Sequence, residues 1–291
     1  MCFDQLVLAG GGNRCWWQAG FWHVLNEYRP QQPSRISAIS AGAATACLLY
    51  ARPGQEGAQW GLNYYAHALA DIKKNANWGN LFSNKPVFPH HHLYRAALQN
   101  MLAEGFDRLQ FAPEILVGLA RAPNYLSPKA AVCLGLVAYN LEKYSQKSLH
   151  PKLGRSLGFE RVFVRAQDCT NLEDLIDLIL QSSCTPPFTP VMFRAGHSVL
   201  DGGLVDNVPT DGALPAKIGE ANQRVLVLLT RKYPFPDYFS QKELGLDLHY
   251  VQPSCPVASA SWDYTHPEQM VLTYQQGRQD AEHMIKAGFF G

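Results

Sequence analysis

The chain has no excess of charge of either sign. Among its 291 residues, 25 Lys and Arg stand against 24 Asp and Glu, which leaves a formal net charge of +1. Proteins that bind nucleic acid carry a basic patch or stripe, and anionic membranes attract clustered basic residues. We therefore expect no nucleic-acid partner, and an attraction to membranes would have to come from a local patch.

Long apolar runs and paired cysteines are also absent. The longest apolar stretch, residues 130–138, is far shorter than the roughly 20 residues that a membrane-spanning helix needs. The beginning of the sequence carries Asp4 in a strand-like run and has no secretory-signal pattern. The seven cysteines form no CxxC pair, which disfavours a zinc ribbon or redox dithiol and is typical of reduced thiols. We expect a cytoplasmic protein that meets a membrane, if at all, at its surface.

The first fifty residues alternate between two kinds of pattern. Residues 3–9 form an apolar run that ends in glycines, as a buried strand does. A helical pattern follows, and residues 36–39 form a second apolar run that leads into small residues of helical type. The helical positions are Trp17, Phe21, Val24, Leu25 and Tyr28. Such alternation predicts an α/β protein with a parallel sheet covered by helices.

For the rest of the chain, the sequence predicts helices, strands and loops only approximately. Residues 114–122 fit either a strand or a buried helix, and residues 233–262, rich in Pro, Ser and Asp, are expected to be mostly loop. Helices are predicted over 55–74, 93–103, 130–144 and 267–287, with a further one opening at Asn171, and strands over 160–166, 199–200 and 224–230.

The first motif with chemical meaning is the run Gly10 to Arg14, GGGNR, between a strand and a helix. Glycine leaves backbone N–H groups unobstructed, and at a helix start these groups can bind a phosphate or an oxyanion. A dinucleotide site needs a further glycine where Cys15 stands, and an acid about 20 residues on, whereas the nearest acid is Glu27. A glycine turn that only packs a strand on a helix remains the alternative.

The second motif is AISAG, from Ala38 to Gly42, where a strand meets a helix. It is similar to the G-x-S-x-G nucleophile elbow, whose cramped backbone needs small residues two positions before and after the serine. Taken alone, Ser40 could equally be a helix N-cap.

The third motif is Leu200-Asp201-Gly202-Gly203. An acid before two glycines at the end of a strand can project into a cleft, although the same three residues also make an ordinary turn.

Together the three motifs resemble the patatin-like phospholipase family, in which G-G-G-x-[RK], G-x-S-x-G and D-G-[GA] follow one another in this order. Residues 182–190, which are small and proline-rich, and the Asn207-x-Pro209 pattern also match. The resemblance spans roughly residues 3–215, with Cys15 and Ala38 as departures from glycine. It implies a three-layer α/β/α fold with a mainly parallel central sheet, one domain over residues 1–291, and a C-terminal helix over about 267–287 packed on it.

The resemblance also implies an activity. Ser40 would be the nucleophile and Asp201 its proton acceptor, in a dyad that hydrolyses lipid or other acyl esters without a metal or cofactor, and a membrane surface could supply the substrate. Because an ordinary Asp has a pKa of roughly 3.9, Asp201 would have to be desolvated to act as a base. The implied oxyanion hole is Gly11, Gly12 and Asn13, and the implied supporting residues are Gly10, Arg14, Ala38, Gly42, Gly202 and Gly203.

Two rival functions stay open. An α/β-hydrolase triad would add His266 or His283 to Ser40 and Asp201. A non-catalytic lipid- or nucleotide-binding module could use the same sheet.

Two other groups of side chains carry weaker expectations. The run from His90 to His92 has no completing metal ligand nearby and is expected to have a surface or structural role. Trp16 and Trp22 could fall on the exposed side of the first helix and face lipid.

Overall fold

The structure is a computed structural model, and it describes residues 1–52, 55–83, 85–123, 125, 130, 133, 149–150, 153–243 and 245–290. The α-helices within these residues are α1 (Cys15–Tyr28), α2 (Ala41–Ala51), α3 (Gln55–Leu69), α4 (His90–Leu102), α5 (Leu153–Ser156), α6 (Leu172–Ser182) and α7 (Pro267–Lys286). The strands are β1 (Gln5–Leu8), β2 (Arg35–Ile39), β3 (Glu114–Arg121), β4 (Glu160–Arg165), β5 (Met192–Arg194), β6 (His197–Asp201), β7 (Gln223–Leu228), β8 (Tyr238–Glu243) and β9 (Leu246–Val251).

Three of the sequence predictions need comment. The undecided stretch 114–122 contains strand β3, whose six central residues are buried. The prediction that 233–262 is mostly loop missed two strands, β8 and β9, which turn at Gly245, where φ is +81°. The exposed residues of β8 at the edge of the sheet make that strand look like loop in sequence. The helix predicted over 130–144 falls largely outside the described residues.

The sheet has nine strands and is mixed. Its order is β5-β6-β3-β2-β1-β7-β9-β8, and β4 pairs with β3. The five central strands from β3 to β9 run parallel to one another, whereas β4, β5, β6 and β8 join by antiparallel pairing. The parallel core that the first fifty residues predict is therefore present, and the antiparallel strands extend it at its margins.

Strands β2 and β6 meet end to end on one edge of β3. Because β4 pairs with β3 over residues 116–121, it occupies the other edge throughout that stretch. Strand β2 runs along the shared edge until Ile39 lies opposite Gly118, and β6 approaches from the opposite direction until Asp201 lies opposite Leu119. The residue after β2 is Ser40. The sheet register therefore brings Ser40 and Asp201 together, although 160 residues of sequence separate them.

The two faces of the sheet are covered differently. In β1, Leu6 and Leu8 point into a core shared with α1, α2, α3, α4, α6 and α7, whereas Val7 points into a smaller core with Val208 and Tyr250. Helix α5 lies on the second side, where Arg155 pairs with Asp211. The result is the three-layer α/β/α arrangement that the resemblance implies. Among the described helices, none has the length and apolar composition that a bilayer span requires.

Helix α7 packs on α1 through two glycines that face each other's backbone. A Cβ on Gly20 would lie 2.1 Å from the Tyr274 carbonyl oxygen, and one on Gly277 would lie 2.1 Å from the Trp17 carbonyl oxygen. The Trp17 indole N–H donates to Asp280 at 2.7 Å across the same contact. The C-terminal helix is thereby held against the helix that follows the glycine loop.

We predict that Gly277→Ala destabilises the protein by about 1–3 kcal/mol, because a methyl group there overlaps backbone that cannot move without separating the helices. In an open helical position the same change is stabilising by up to about 1 kcal/mol. The sign of the change in the free energy of unfolding therefore distinguishes a close contact from an open position, and urea unfolding measures it. Gly79→Ala is the matched control, since nothing lies within 4 Å of the added methyl group. Equal stability of the two variants would contradict the close contact.

Candidate active site

Ser40 occupies a strained turn between β2 and α2. Its φ is 52° and its ψ is −136°, a conformation that costs a non-glycine residue on the order of 1–3 kcal/mol and is found mainly at functional sites. Although Ser40 precedes the helix, its side chain makes no capping hydrogen bond. Gly42 permits the sharp turn because a Cβ there would lie 2.7 Å from the Ala9 carbonyl oxygen. Capping therefore does not explain the serine.

The turn is held by backbone hydrogen bonds on both sides of Ser40. Its N–H donates to the hydroxyl of Ser182 at 2.8 Å, and that hydroxyl donates to the Gly118 carbonyl at 2.7 Å. Its carbonyl accepts from the N–H of Ala43 at 2.9 Å. Ser182 is fully buried at the end of α6, so the strained conformation is fixed by the packed interior.

Asp201 ends β6 close to Ser40, and the Ser40 and Thr185 side chains both act to lower the pKa of its carboxyl group. The N–H of Gly203 donates to Oδ1 at 2.7 Å. Burial raises the pKa of Asp201 to about 6, against the opposing effect of these groups and of the Arg161 charge. The desolvation that a carboxylate base requires is therefore present.

The glycines after Asp201 are fixed by close approach. A Cβ on Gly202 would lie 2.5 Å from the Gly118 carbonyl oxygen, and one on Gly203 would lie 2.9 Å from Asn207 Oδ1 and 3.0 Å from Asp201 Oδ1. Any larger side chain would push the carboxylate away from Ser40.

The glycine loop after β1 is tied down at Gly10. Its carbonyl accepts from Asn207 Nδ2 at 2.9 Å and from the Thr230 hydroxyl at 2.7 Å, and its N–H donates to the Asn207 carbonyl at 3.2 Å. A Cβ on Gly11 would lie 2.6 Å from the Thr230 hydroxyl oxygen, and Gly12 has a φ of +57° with the Ser261 carbonyl oxygen 2.1 Å from its Cβ position. These contacts require glycine at both positions.

Some N–H groups of this loop donate hydrogen bonds to other described residues, and others do not. The N–H of Asn13 donates to the Ser261 carbonyl at 3.1 Å, and its Nδ2 donates to the Asp263 carbonyl at 2.7 Å. None of the hydrogen bonds within the described residues uses the N–H of Gly11 or of Gly12. Arg14 Nε donates back to the Gly11 carbonyl at 3.3 Å, which stiffens the turn. The two glycine N–H groups are thus the donors available to a ligand.

A cleft, partly open to solvent, runs past Ser40 and Gly12. Its walls are mainly apolar and aromatic, as in sites for small organic ligands. They include Trp16, Leu48, Tyr65, Tyr94, Met101, Trp262 and Tyr264. Walls of this kind suit an apolar ligand group.

Three sequence expectations change or gain detail here. Trp16 and Trp22 do not face solvent: both are buried and Trp16 lines the cleft, because α7 and α3 cover the helix. Cys15 is buried, its thiol donates to the Ala9 carbonyl, and burial raises its pKa. Ala38 is a fully buried core residue of β2, so its methyl group fits where the family motif has glycine.

The histidines lie apart from the carboxylate. His266 is exposed and bonds to Asp263 at 2.7 Å, and His283 is exposed on α7. The described partners of Asp201 include no histidine. His90 is buried and its Nε2 bonds to the Trp262 carbonyl at 2.9 Å, a structural role. Over the described parts of the chain, no group of three His, Cys, Asp or Glu side chains is placed to hold a metal ion.

Some of the residues that support the site lie in stretches that the sequence analysis recognised, and others do not. Ser182 and Thr185 lie in the small-residue stretch before Asp201, and Asn207 belongs to the N-x-P pattern. By contrast, Thr230 and Ser261 reach the glycine loop from more than 200 residues away. Only a known fold reveals such contacts.

Comparisons with known proteins identify the family of this chain. The family model for patatin-like phospholipase matches residues 6–214, and no curated protein matches the sequence. In structure, the chain is similar to human GIVD cytosolic phospholipase A2, with a TM-score of 0.50, 11% identity, and coverage of 97% of this chain and 61% of that one. It is also similar to VipD from Legionella pneumophila, with a TM-score of 0.45, 12% identity, and coverage of 98% and 67%. The chain thus spans somewhat under two thirds of the human protein's length, and the family match over most of its own length shows that it belongs to the patatin-like phospholipases.

Proposed function

We propose that the chain is a lipid acyl hydrolase in which Ser40 is the nucleophile, Asp201 is its general base, and the N–H groups of Gly11 and Gly12 form the oxyanion hole. The observation that carries the proposal is the sheet register, which places Ser40, in its strained turn, beside the Asp201 carboxylate. Family membership supports a lipid ester as the substrate.

The reaction has two balanced halves. Asp201 takes the hydroxyl proton as Ser40 Oγ bonds to the ester carbonyl carbon, and the carbonyl oxygen becomes an oxyanion facing Gly11 and Gly12. The C–O bond to the alcohol then breaks, and the alcohol leaves with the proton. Water then attacks the acyl carbon on Ser40 while Asp201 again accepts a proton. The bond from that carbon to Ser40 Oγ breaks, the proton returns to Oγ, and a free acid is released.

Two features of the fold lower the barrier. Each well-placed oxyanion donor is worth about 2.7–4 kcal/mol, and the start of α2 directly after Ser40 adds the positive end of a helix dipole. The backbone N–H and the side-chain amide of Asn13 are both engaged within the protein. Asn13 therefore holds the loop in place and is assigned a positioning role. This refines the donor set expected from the sequence.

The rival functions find less support. A triad would need a histidine on the carboxylate, and His266 is bonded to Asp263 instead. A binding module would not need the strained φ of Ser40, whose conformation exposes a nucleophile at a cost in stability.

We expect Ser40→Ala and Asp201→Asn each to lower hydrolysis of a p-nitrophenyl acyl ester by roughly 1000-fold or more, as loss of a catalytic nucleophile or base does. A fluorophosphonate should label the wild type at Ser40 and leave Ser40→Ala unlabelled. Mass spectrometry locates the label.

The controls are His266→Ala and His283→Ala, which should keep both activity and labelling. Loss of turnover in either would favour a triad. A wild type that neither hydrolyses any ester nor takes the label would favour a binding module.

The pH dependence of kcat/KM should follow the ionisation of Asp201. Because the base must be ionised and burial raises its pKa to about 6, we expect a plateau above pH 6 and a fall of about tenfold per pH unit below it. Circular dichroism at each pH shows whether the fold persists. A flat profile down to about pH 4.5 in a folded protein would be inconsistent with Asp201 as the base.

The ionised Asp201 carboxylate should also lower the free energy of unfolding. Asp201 ionises near pH 6 in the fold, against an ordinary value of 3.8, so the unfolded chain gains more from ionisation, by about 3 kcal/mol at neutral pH. The stability difference is absent below the unfolded pKa and complete above the folded one. We therefore expect Asp201→Asn to be more stable than wild type at pH 7–8, by up to about 3 kcal/mol. Urea unfolding should show no gain at about pH 3.5, and a gain of equal size there would rule out this origin.

A further inference from the structure

The segment before α4 carries a group of exposed aromatic and basic side chains. The group comprises Trp78, Phe82, Lys73, Lys74 and Lys85, and we call it the aromatic–basic patch. Phe82 is 99% exposed and Trp78 is 64% exposed, and the three lysines are exposed as well. Exposed apolar side chains that occur together with polar ones around them mark interaction surfaces, whereas single ones are ordinary.

The patch belongs to a segment with an ordered base. The N–H of Asn77 donates to the Val87 carbonyl at 2.8 Å, and Asn80 Nδ2 donates to the Pro86 carbonyl at 2.9 Å. These bonds close the chain on itself, so Trp78 and Phe82 protrude from a short 3-10 helix, Trp78–Phe82, on a fixed support. The exposure of both rings is therefore built into the fold.

A row of ring contacts connects the patch to the cleft. Trp78 meets Phe88 at 5.8 Å, Phe88 meets Phe188 at 5.0 Å, and Phe188 stacks on Trp262 at 5.5 Å between ring centroids. Trp262 lines the same cleft as Ser40. An apolar surface thus runs from the protruding rings to the cavity.

The segment of sequence that carries the rings has charge of a single sign. From Ile72 to Ala103 the sequence contains no Asp or Glu, and Lys73, Lys74 and Lys85 stand in it on either side of the rings. The chain as a whole is balanced at +1, so this is a local basic excess. Aromatic rings that settle at the headgroup level, together with exposed lysines, match an anionic bilayer surface, whereas a folded protein partner would require no such uniform charge.

We propose that the aromatic–basic patch docks the protein on anionic lipid surfaces, with Trp78 and Phe82 inserted at the headgroup level and the lysines against the lipid charge. The proposal rests on the proposed function, because docking there would place the mouth of the cleft against its lipid substrate. It adds the site of contact and the charge of the lipid.

The test measures sedimentation of the full chain carrying Ser40→Ala, which cannot degrade the lipid, with vesicles of phosphatidylcholine mixed with phosphatidylserine. Replacing Lys73, Lys74 and Lys85 by Gln should weaken binding roughly 100-fold, about fivefold per lysine near an anionic surface. Trp78→Ala with Phe82→Ala should weaken it roughly tenfold or more. Pure phosphatidylcholine should bind the parent weakly.

Matched controls carry the same changes elsewhere. Gln at Lys217, Lys242 and Lys286, all exposed, removes equal charge, and Phe111→Ala removes a ring that is 92% exposed; both should bind as the parent does. With Ser40 intact, the patch variants should hydrolyse a soluble p-nitrophenyl ester at the wild-type rate.

The outcomes separate the two proposals. No vesicle binding by the parent, or equal loss in patch and control variants, would overturn docking whatever the esterase result. Vesicle binding that depends on the patch, in a protein whose wild type hydrolyses no ester, would leave docking standing and remove the proposed hydrolase. Binding of the patch to a protein partner, with none to vesicles, would also overturn the lipid proposal.

Discussion

The proximity of Ser40 and Asp201 depends on one edge of β3. Strand β2 leaves that edge at Gly118 and β6 takes it over at Leu119, so the last residue of β6 and the first residue after β2 come together. Gly118 has to be small there, since a Cβ would lie 2.7 Å from the Ile39 side chain. Its carbonyl also accepts from Ser182, which in turn holds the N–H of Ser40. The register of three strands, more than any single side chain, fixes how Ser40 and Asp201 lie relative to each other.

The conformation of this site opposes stability at each of its parts. Ser40 holds a positive φ, the carboxyl group of Asp201 is partly buried, and the N–H groups of Gly11 and Gly12 lack partners among the described residues. Groups of this kind persist only where the surroundings over-determine them. Here the surroundings are the Gly10 carbonyl, which accepts two hydrogen bonds, the buried Ser182 and the close packing against Gly202. The packed core thus stabilises a serine, a carboxyl group and two N–H groups in conformations that they would not adopt alone.

The sequence predicted this site well wherever a short motif marks its residues. Gly11, Gly12, Gly42 and Gly202 could be picked out as members of short motifs, although the contacts that require glycine there come from residues distant in sequence. Thr230 and Ser261 could not, because their only distinction is a contact with a loop more than 200 residues away. In the fold, β1, β2 and β7 were readable from their apolar runs, β3 was left open between strand and helix, and β8 and β9 were missed. The burial of Trp16 and Trp22 was also missed, because most of α1 is buried and its apolar period therefore says little about exposure.

The aromatic–basic patch and the glycine loop share one support, the turn around Asp263. Asn13 Nδ2 donates to the Asp263 carbonyl from the side of the glycine loop, and Asn75 Nδ2 donates to the Asp263 side chain at 2.9 Å from the side of the patch. The Tyr264 N–H donates to Asn75 at 2.8 Å. Because Trp262 and Tyr264 from this turn also line the cleft, a few short hydrogen bonds connect the segment of the patch, the cavity wall and the glycine loop. An ester entering from a surface at the patch would therefore follow one continuous apolar wall to Ser40.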